Sequence, residues 1–400
     1  MKKISIILIM CLLLSSCSSN LNNTTSTVPK EKINKTASKE KINKYEFVLD
    51  EVEGDINYKI YSNKLLDTYI IAAALSLDFN SKVLLPENEY YSFYKKTKEY
   101  FAPYKEHTFM RHFDKYLRND DININVAKIL LDYSNGSDYE SLYKYVNNNS
   151  DLKRIFSNKD EVEKFINDFE QFYIDTKAEE FFDSISQRDL VMKEYYDNNK
   201  DKAKMLELIS EMESYIGVDK NIKKTINYHT VVTTWRPYLG SYLYEETEEG
   251  INRYSFESLL RYNSKRLEEY DVYGCASNSI RDYLHILLNT PVYNNIGNIN
   301  KYNKFSNKEE LTKSSFYVNK SWDKITEAYF VRAIQGRIFK NVIGENKANS
   351  FLGGEITFGG FPYLNGLYVK LEAYENNRRK YKNIDKFIPV LIKELYSNSK

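Results

Sequence analysis

An α+β fold, mainly helical with a small antiparallel sheet, is predicted by three observations. Apolar residues recur at i, i+3 and i+4 through most of residues 65–217. β-Branched and aromatic residues cluster instead in 45–61 and 226–256. Hydrophobic residues make up 42% of the 400-residue chain and charged residues 28%, a balance that supports a sizeable core rather than disorder.

In chain order, "YEFVLDEVEGDINYKIY" (45–61) alternates around a Gly54-Asp55 turn and reads as one or two strands. "LLDTYIIAAALSLDF" (65–79) reads as a buried helix, and amphipathic helices follow at 90–101, 124–133, 161–173, 178–196 and 202–216. The pattern then changes. "INYHTVVTTWRPYLGSYLYEE" (226–246) and "GINRYSF" (250–256) predict a β-meander or hairpin of two to three strands. Helices return around 277–289 and 321–340. "GGEITFGG" (353–360) lacks the strand–Gly-x-Gly-x-x-Gly–helix order of a dinucleotide loop and reads as a turn with a short strand. Helices near 366–380 and 385–396 end the chain. No period of 20–50 residues suggests a solenoid. The expected division is a mainly helical part over 45–220 and a second part over 221–400 that holds the β-rich segment.

The N-terminus carries a different signal. In "MKKISIILIMCLLLSSC", Lys2 and Lys3 precede an apolar run from Ile4 to Leu14. That run suits a secretory signal peptide over 1–16 and is too short for a spanning helix. Leu14-Ser15-Ser16-Cys17 resembles the bacterial lipobox, in which the cysteine is lipid-modified and becomes the first mature residue. Several acyl chains on Cys17 would supply the multiple anchors that stable membrane attachment needs. Residues 17–44 are polar, with "KEKINK" at 30–35 and again at 39–44. They read as a flexible tether with a reach of about 30 Å. The expected location is extracytoplasmic, lipid-anchored to a bacterial membrane.

Of the three cysteines, Cys11 lies in the signal peptide, Cys17 is the lipidation site and Cys275 has no partner in sequence. No intrachain disulfide framework is therefore available. A net charge of +1 gives no basic surplus for phosphates, so nucleic acid is not an expected partner. There is no Gly-x-Ser-x-Gly elbow, phosphate-binding Gly-rich loop or Cys-x-x-Cys.

One helix carries candidate chemistry. In "SNSIRDYLHILLNTP" (277–291), Ser277 or Asn278 can cap a helix whose buried stripe is Ile280, Leu284, Leu287 and Leu288. Arg281 and His285 are four apart and share a face, with Asp282 beside them. This is the spacing of His-Glu-x-x-His, in which two histidines hold zinc and the glutamate polarises water. Here arginine and aspartate stand at the first two positions. Read alone, the stretch is a helix with polar residues at its rim rather than a metal motif.

The surrounding chain adds context. "EYFAPYKEHTFMRHFDKYLR" (99–118), "INYHTVVTTWRPYLG" (226–240), "RDYLHILLNTP" (281–291), "TEAYFVRAIQGRI" (326–338) and "GGFPYLNGLYVKLEAYENNRRKY" (359–381) resemble a bacterial family of secreted lipoproteins of undefined function. That family looks like a zincin-type metallopeptidase, with His-Glu-x-x-His, a following Asn-Pro, and a glutamate ligand ahead of Val-Arg-Ala on a later helix. The resemblance spans roughly 60–395 and implies a zincin-like core. It makes His285 the second histidine, Asn289 and Pro291 the Asn-Pro with Thr290 inserted, and Glu327 the glutamate ligand ahead of Val331-Arg332-Ala333. Asp282 then holds a degenerate general-base position, and Arg281 breaks the first metal ligand, because a guanidinium has no lone pair to give.

Two expectations follow from the resemblance. Either zinc binds a carboxylate-rich site of Asp282, His285 and Glu327, or Arg281 takes the cation's place and forks onto Glu327, Asp282 or both. The second is preferred and predicts an Arg281–Glu327 salt bridge. The implied protein is a non-catalytic lipoprotein that needs no cofactor and binds a peptide or envelope partner. An active zinc metallopeptidase and a structural envelope lipoprotein are the alternatives. Elsewhere, His107 and His112 lie five apart and fall on different helix faces, so they are read as packing residues. His229 either faces the candidate groove or is an ordinary strand histidine. Trp235 and Trp322 are read as core.

Overall fold

A computed structural model describes residues 48–53, 56–77, 92–118, 121–185, 197–198, 204–218, 225–233, 241–247, 250–257, 260–263, 266–270, 272–302, 311–314, 317 and 320–398. The expected signal peptide and tether, with Cys17 and Trp235, lie outside the described residues.

The N-terminal hairpin is β1 (Val48–Glu53) and β2 (Ile56–Ser62), and it leads into α1 (Lys64–Ser76). Asn63 caps that helix, its side chain accepting from the backbone N–H of Leu66 at 3.0 Å. After α2 (Ser92–Phe101) comes a short hairpin, β3 (Leu117–Arg118) with β4 (Asp121–Ile122). The helices α3 (Ile124–Ser134), α4 (Tyr139–Asn148) and α5 (Lys159–Asp175) follow, then α6, described over 178–185, and α7 (Met205–Ile216). Phe109, Phe113, Tyr116, Phe165, Phe169 and Phe172 pack together here in an aromatic core.

Next come β5 (Thr225–Val232), β6 (Ser241–Glu246) and β7 (Gly250–Glu257), then a hairpin of β8 (Leu260–Asn263) and β9 (Arg266–Tyr270). The remaining helices are α8 (Val272–Asn294), α9 (Ile296–Tyr302), α10 (Trp322–Ile343), α11 (Glu345–Thr357), α12 (Leu364–Glu375) and α13 (Ile388–Asn398). No helix among the described residues is long and apolar enough to cross a membrane.

The predicted α+β class holds, but the sheet is mixed rather than antiparallel. Its order is β1-β2-β5-β7-β6, and the two central pairings, β2 with β5 and β5 with β7, are parallel. The antiparallel hairpins sit at its two margins. Of the predicted meander or hairpin, the hairpin is present as β6 with β7, while the meander fails because β7 inserts between β5 and β6. One polar row spans four strands: Asn57 donates to Asn227 (3.1 Å), Asn227 to Asn252 (2.9 Å) and Asn252 to Glu245 (3.4 Å). A one-residue slip would turn this row to the opposite face and break it.

Two further expectations are corrected. "GGEITFGG" is helical to Thr357, because buried Ala348 and Leu352 anchor α11 on the core and outweigh the glycines' helix cost of about 1 kcal/mol each. The site helix starts at Val272, five residues before Ser277, so neither Ser277 nor Asn278 caps it. Both instead find partners sideways. Ser277 accepts from Gln335 Nε2 through its carbonyl at 2.6 Å, and Asn278 lies near the Glu257 carboxyl and favours its charged form.

Gly250 opens β7 where a Cβ would stand 2.6 Å from the backbone oxygen of Thr225. That oxygen belongs to the sheet and cannot yield as a side chain could. Gly250→Ala should therefore destabilise the fold by about 1–3 kcal/mol in urea unfolding, as overpacking does.

Candidate functional site

The sheet's two faces carry different work. Tyr228, Thr230, Ser255 and Tyr242 lie on the face that meets α8: Thr230 bonds Ser279 and Tyr283, and Ser255 reaches Asp282. Asn252, Tyr254 and Glu245 lie on the other face, where Lys128 of α3 pairs with Glu245 at 2.9 Å and lies over the Tyr254 ring. Helix α8 seats Ile280, Leu284 and Leu288 in the core, as its spacing predicts. Asp282 and His285 are thereby drawn in with the apolar stripe, while Asn289 is left exposed.

Asp282 belongs to a buried acid pair. Ser255 Oγ lies 3.0 Å from Asp282 Oδ2 and 3.0 Å from Glu257 Oε1, which brings the two carboxyls together. A hydroxyl has one proton to donate, and two ionised carboxylates side by side repel. The group therefore holds an extra proton. Burial, and then the charge of Asp282, push Glu257 well above the usual carboxylate range. Burial raises Asp282 as well, against the pull of Arg281. Arg281 Nε stands 3.8 Å from Asp282 Oδ1 and balances the pair's remaining charge.

His285 and Glu327 form the second half of the site. His285 Nδ1 donates to Glu327 Oε1 at 2.7 Å, and Lys324 Nζ donates to Oε2 at 2.8 Å. Lys324 also reaches Asn289 at 3.4 Å. The Tyr242 ring stacks on the imidazole, with centroids 5.2 Å apart and planes 3° apart. Burial pushes the His285 pKa below its ordinary value, against the opposing pull of Glu327. The ring is thus neutral at pH 7.

The structure brings Arg281, Asp282, His285 and Glu327 to one place but pairs them differently from expectation. Among the described residues, the N–H donors on Glu327 are the neutral His285 and the Lys324 ammonium, and Arg281 turns to Asp282 instead. The reason is helical geometry. Lys324 lies three residues before Glu327 on the same face of α10, whereas Arg281 and Asp282 project toward β7.

The residues present do not fit a zinc centre. Both Glu327 oxygens carry N–H donors, and Asp282 is engaged by Ser255 and Glu257. Among the described residues no group of three or more His, Cys, Asp or Glu is arranged to hold a metal.

With this geometry in view, comparison with known families is decisive on one point. The family described as Domain of unknown function (DUF4932) matches residues 66–394, well over half of the chain. The chain belongs to the DUF4932 family. No curated protein and no solved structure matches it. Both halves of the site, Asp282 with Glu257 and His285 with Glu327, fall inside the DUF4932 match.

The other singled-out residues lie elsewhere. His229 sits on the sheet face away from α8, stacked on Tyr254 with centroids 4.6 Å apart, and burial lowers its pKa to about 4. It does not face the groove. His107 accepts from the Phe109 N–H and bonds Asp175 at 3.0 Å. Cys275 is buried, and Trp322 packs at the core's margin. Sequence reasoning missed Lys324, Tyr242, Ser255 and Glu257. Only Lys324 carried a local signal, its i,i+3 spacing to Glu327; the other three depend on strand pairing.

The acid pair makes a pH prediction. Glu257 has a raised pKa in the fold, so its contribution is fully present below the ordinary glutamate value of 4.5 and is lost as pH rises toward the folded value. Glu257→Gln removes that loss. Thermal melts from pH 4.5 upward should show the variant gaining on the parent steadily with pH, and parallel curves would refute the shared proton.

Proposed function

We propose that this protein is a bacterial lipoprotein, held outside the cytoplasm by acyl chains on Cys17, that binds an extended peptide or envelope partner beside a metallopeptidase-like centre which works without metal. The observation that carries this reading is the internal neutralisation of the centre. Each acid that the resemblance assigns to zinc chemistry already has a side-chain partner: Glu327 has His285 and Lys324, and Asp282 has Ser255, Glu257 and Arg281. Removing a cation from such a set leaves a buried carboxylate unpaired, which is costly. The set is therefore stable as it stands and leaves no vacancy for a metal.

The peptide follows from the sheet. Strand β6 is antiparallel to β7 and is the marginal strand on that side among the described residues. Its Tyr242 reaches from that margin onto His285. A marginal strand offers a row of N–H and C=O groups, and an extended peptide can pair with it by strand addition. A peptide laid there would pass the His285–Glu327 centre. The tether over 17–44 would let this face approach partners near the membrane.

Fluorescence anisotropy with a panel of labelled extended peptides tests the binding. At least one peptide should bind with a Kd on the order of 10 µM. N-methylation at alternate residues should weaken it about tenfold or more, because main-chain pairing supplies the affinity. Tyr242→Ala should weaken it similarly. Affinity indifferent to N-methylation would contradict strand addition. Separately, Cys17→Ala should move the protein from the membrane fraction to the soluble one, and continued membrane retention would contradict the lipid anchor.

A further inference from the structure

His285 differs from the other buried histidine and from His107 in what its two nitrogens do. His107 uses both, Nε2 on Asp175 and Nδ1 on the Phe109 N–H. His229 uses Nε2 on Asn252 at 3.4 Å and leaves Nδ1 sealed without a partner. His285 commits Nδ1 to Glu327, and its Nε2 has no hydrogen-bond partner among the described residues. That atom is not one of the sealed polar atoms, and the side chain keeps 8% exposure. The one open edge of the ring is therefore its Nε2 edge.

The tautomer follows from the partners. Glu327 takes the Lys324 ammonium on Oε2, so its other oxygen is an acceptor and Nδ1 must bring the proton. A neutral ring with Nδ1–H has its lone pair on Nε2. Tyr242 stacked at 3° and Glu327 together hold the ring in one orientation, so the lone pair points in a fixed direction. A carboxylate that orients a histidine and leaves its far nitrogen free is the arrangement of an acid–base dyad.

We propose that His285 is the proton acceptor of this centre, its Nε2 taking the proton of a hydroxyl, from water or from a bound hydroxyl-bearing side chain, with Glu327 as its positioning residue. When the donor is water next to an ester or other acyl carbon, the balance is simple. The water O–H bond breaks and its proton passes to Nε2. The oxygen bonds to the acyl carbon. The leaving group departs with the electron pair and recovers a proton from the imidazolium. No metal, oxidant or co-reactant is needed. Lys324, 39% exposed, keeps its ammonium on Glu327 Oε2 and so adds positive charge to the dyad. This goes beyond peptide binding and does not depend on it.

Two measurements on the intact protein test it. The first is the ¹⁵N–¹H long-range NMR spectrum of the histidine rings at pH 7. His285 should show a protonated Nδ1 and a pyridine-type Nε2. An Nε2–H tautomer would overturn the proposal. The second uses p-nitrophenyl acetate as the acyl probe and follows release of p-nitrophenolate. The parent should exceed His285→Gln by about tenfold or more, at the low end of what a general base contributes. Glu327→Gln should fall between them, with rate rather than KM affected. The parent rate should also drop about two- to threefold in D₂O, as proton transfer in the slow step requires. Equal rates for the parent and a folded His285→Gln, verified by circular dichroism, would overturn it. Since the NMR reading uses the parent alone, a variant that fails to fold does not rescue the idea.

Discussion

Helix α10 is buried on every side from Ile325 to Phe339, and that constraint organises the C-terminal part of the fold. A helix inside a core should be apolar all round, yet this one carries Thr326, Glu327, Arg332, Gln335 and Arg337. Each must find a partner or pay the cost of an unsatisfied buried polar group. Each partner lies on a different neighbour or fixes a second point on the same one. Thr326 bonds Tyr396 of α13 at 2.9 Å, and Glu327 and Gln335 hold α8 through His285 and Ser277. Arg332 pairs with Glu355 of α11 at 2.6 Å and lies over the Phe361 ring, while Arg337 pairs with Glu372 and Glu375 of α12. The apolar contacts supply most of the burial energy; these polar pairs set which helix lies where.

The candidate site is one consequence of that requirement. Glu327 draws His285 and Lys324 to it, and α8 is held with Asp282 turned toward β7. There a second acid, Glu257, waits on the strand, so a proton and Arg281 complete the balance. The whole constellation is assembled from side chains of one chain. Its chemistry is then governed by which atoms remain uncommitted, and among the described residues His285 Nε2 is an uncommitted nitrogen that carries a lone pair.

Much of this was legible in the sequence where the signal is local. Helical spacing located most of the helices to within about five residues but not α4, α9 or α11, and "IRDYLH" with "TEAYFVRA" marked both helices of the site. What was not legible depends on pairings far apart in the chain. Strand β2 lies parallel to β5 with Tyr58 opposite Tyr228, and no local pattern encodes that register. Ser255, Glu257 and Tyr242 join the site only because β7 inserts between β5 and β6. The Arg281–Glu327 pairing failed for a related reason. It was inferred from a motif position, whereas the direction of Arg281 is decided by the acids on the neighbouring strand. Lys324 could have been found, since a lysine three residues before a buried glutamate on a helix is a natural partner.

The central claim is that side-chain cations, and not a metal, satisfy the acids of this site. Calorimetric titration of zinc into the metal-stripped protein at pH 7 tests it most directly. The account predicts no saturable site tighter than about 1 µM, or about 8 kcal/mol, because Glu327 could join His285 Nε2 as a ligand only by giving up Lys324 or its His285 bond. A one-to-one site tighter than that, abolished by His285→Ala, would contradict it.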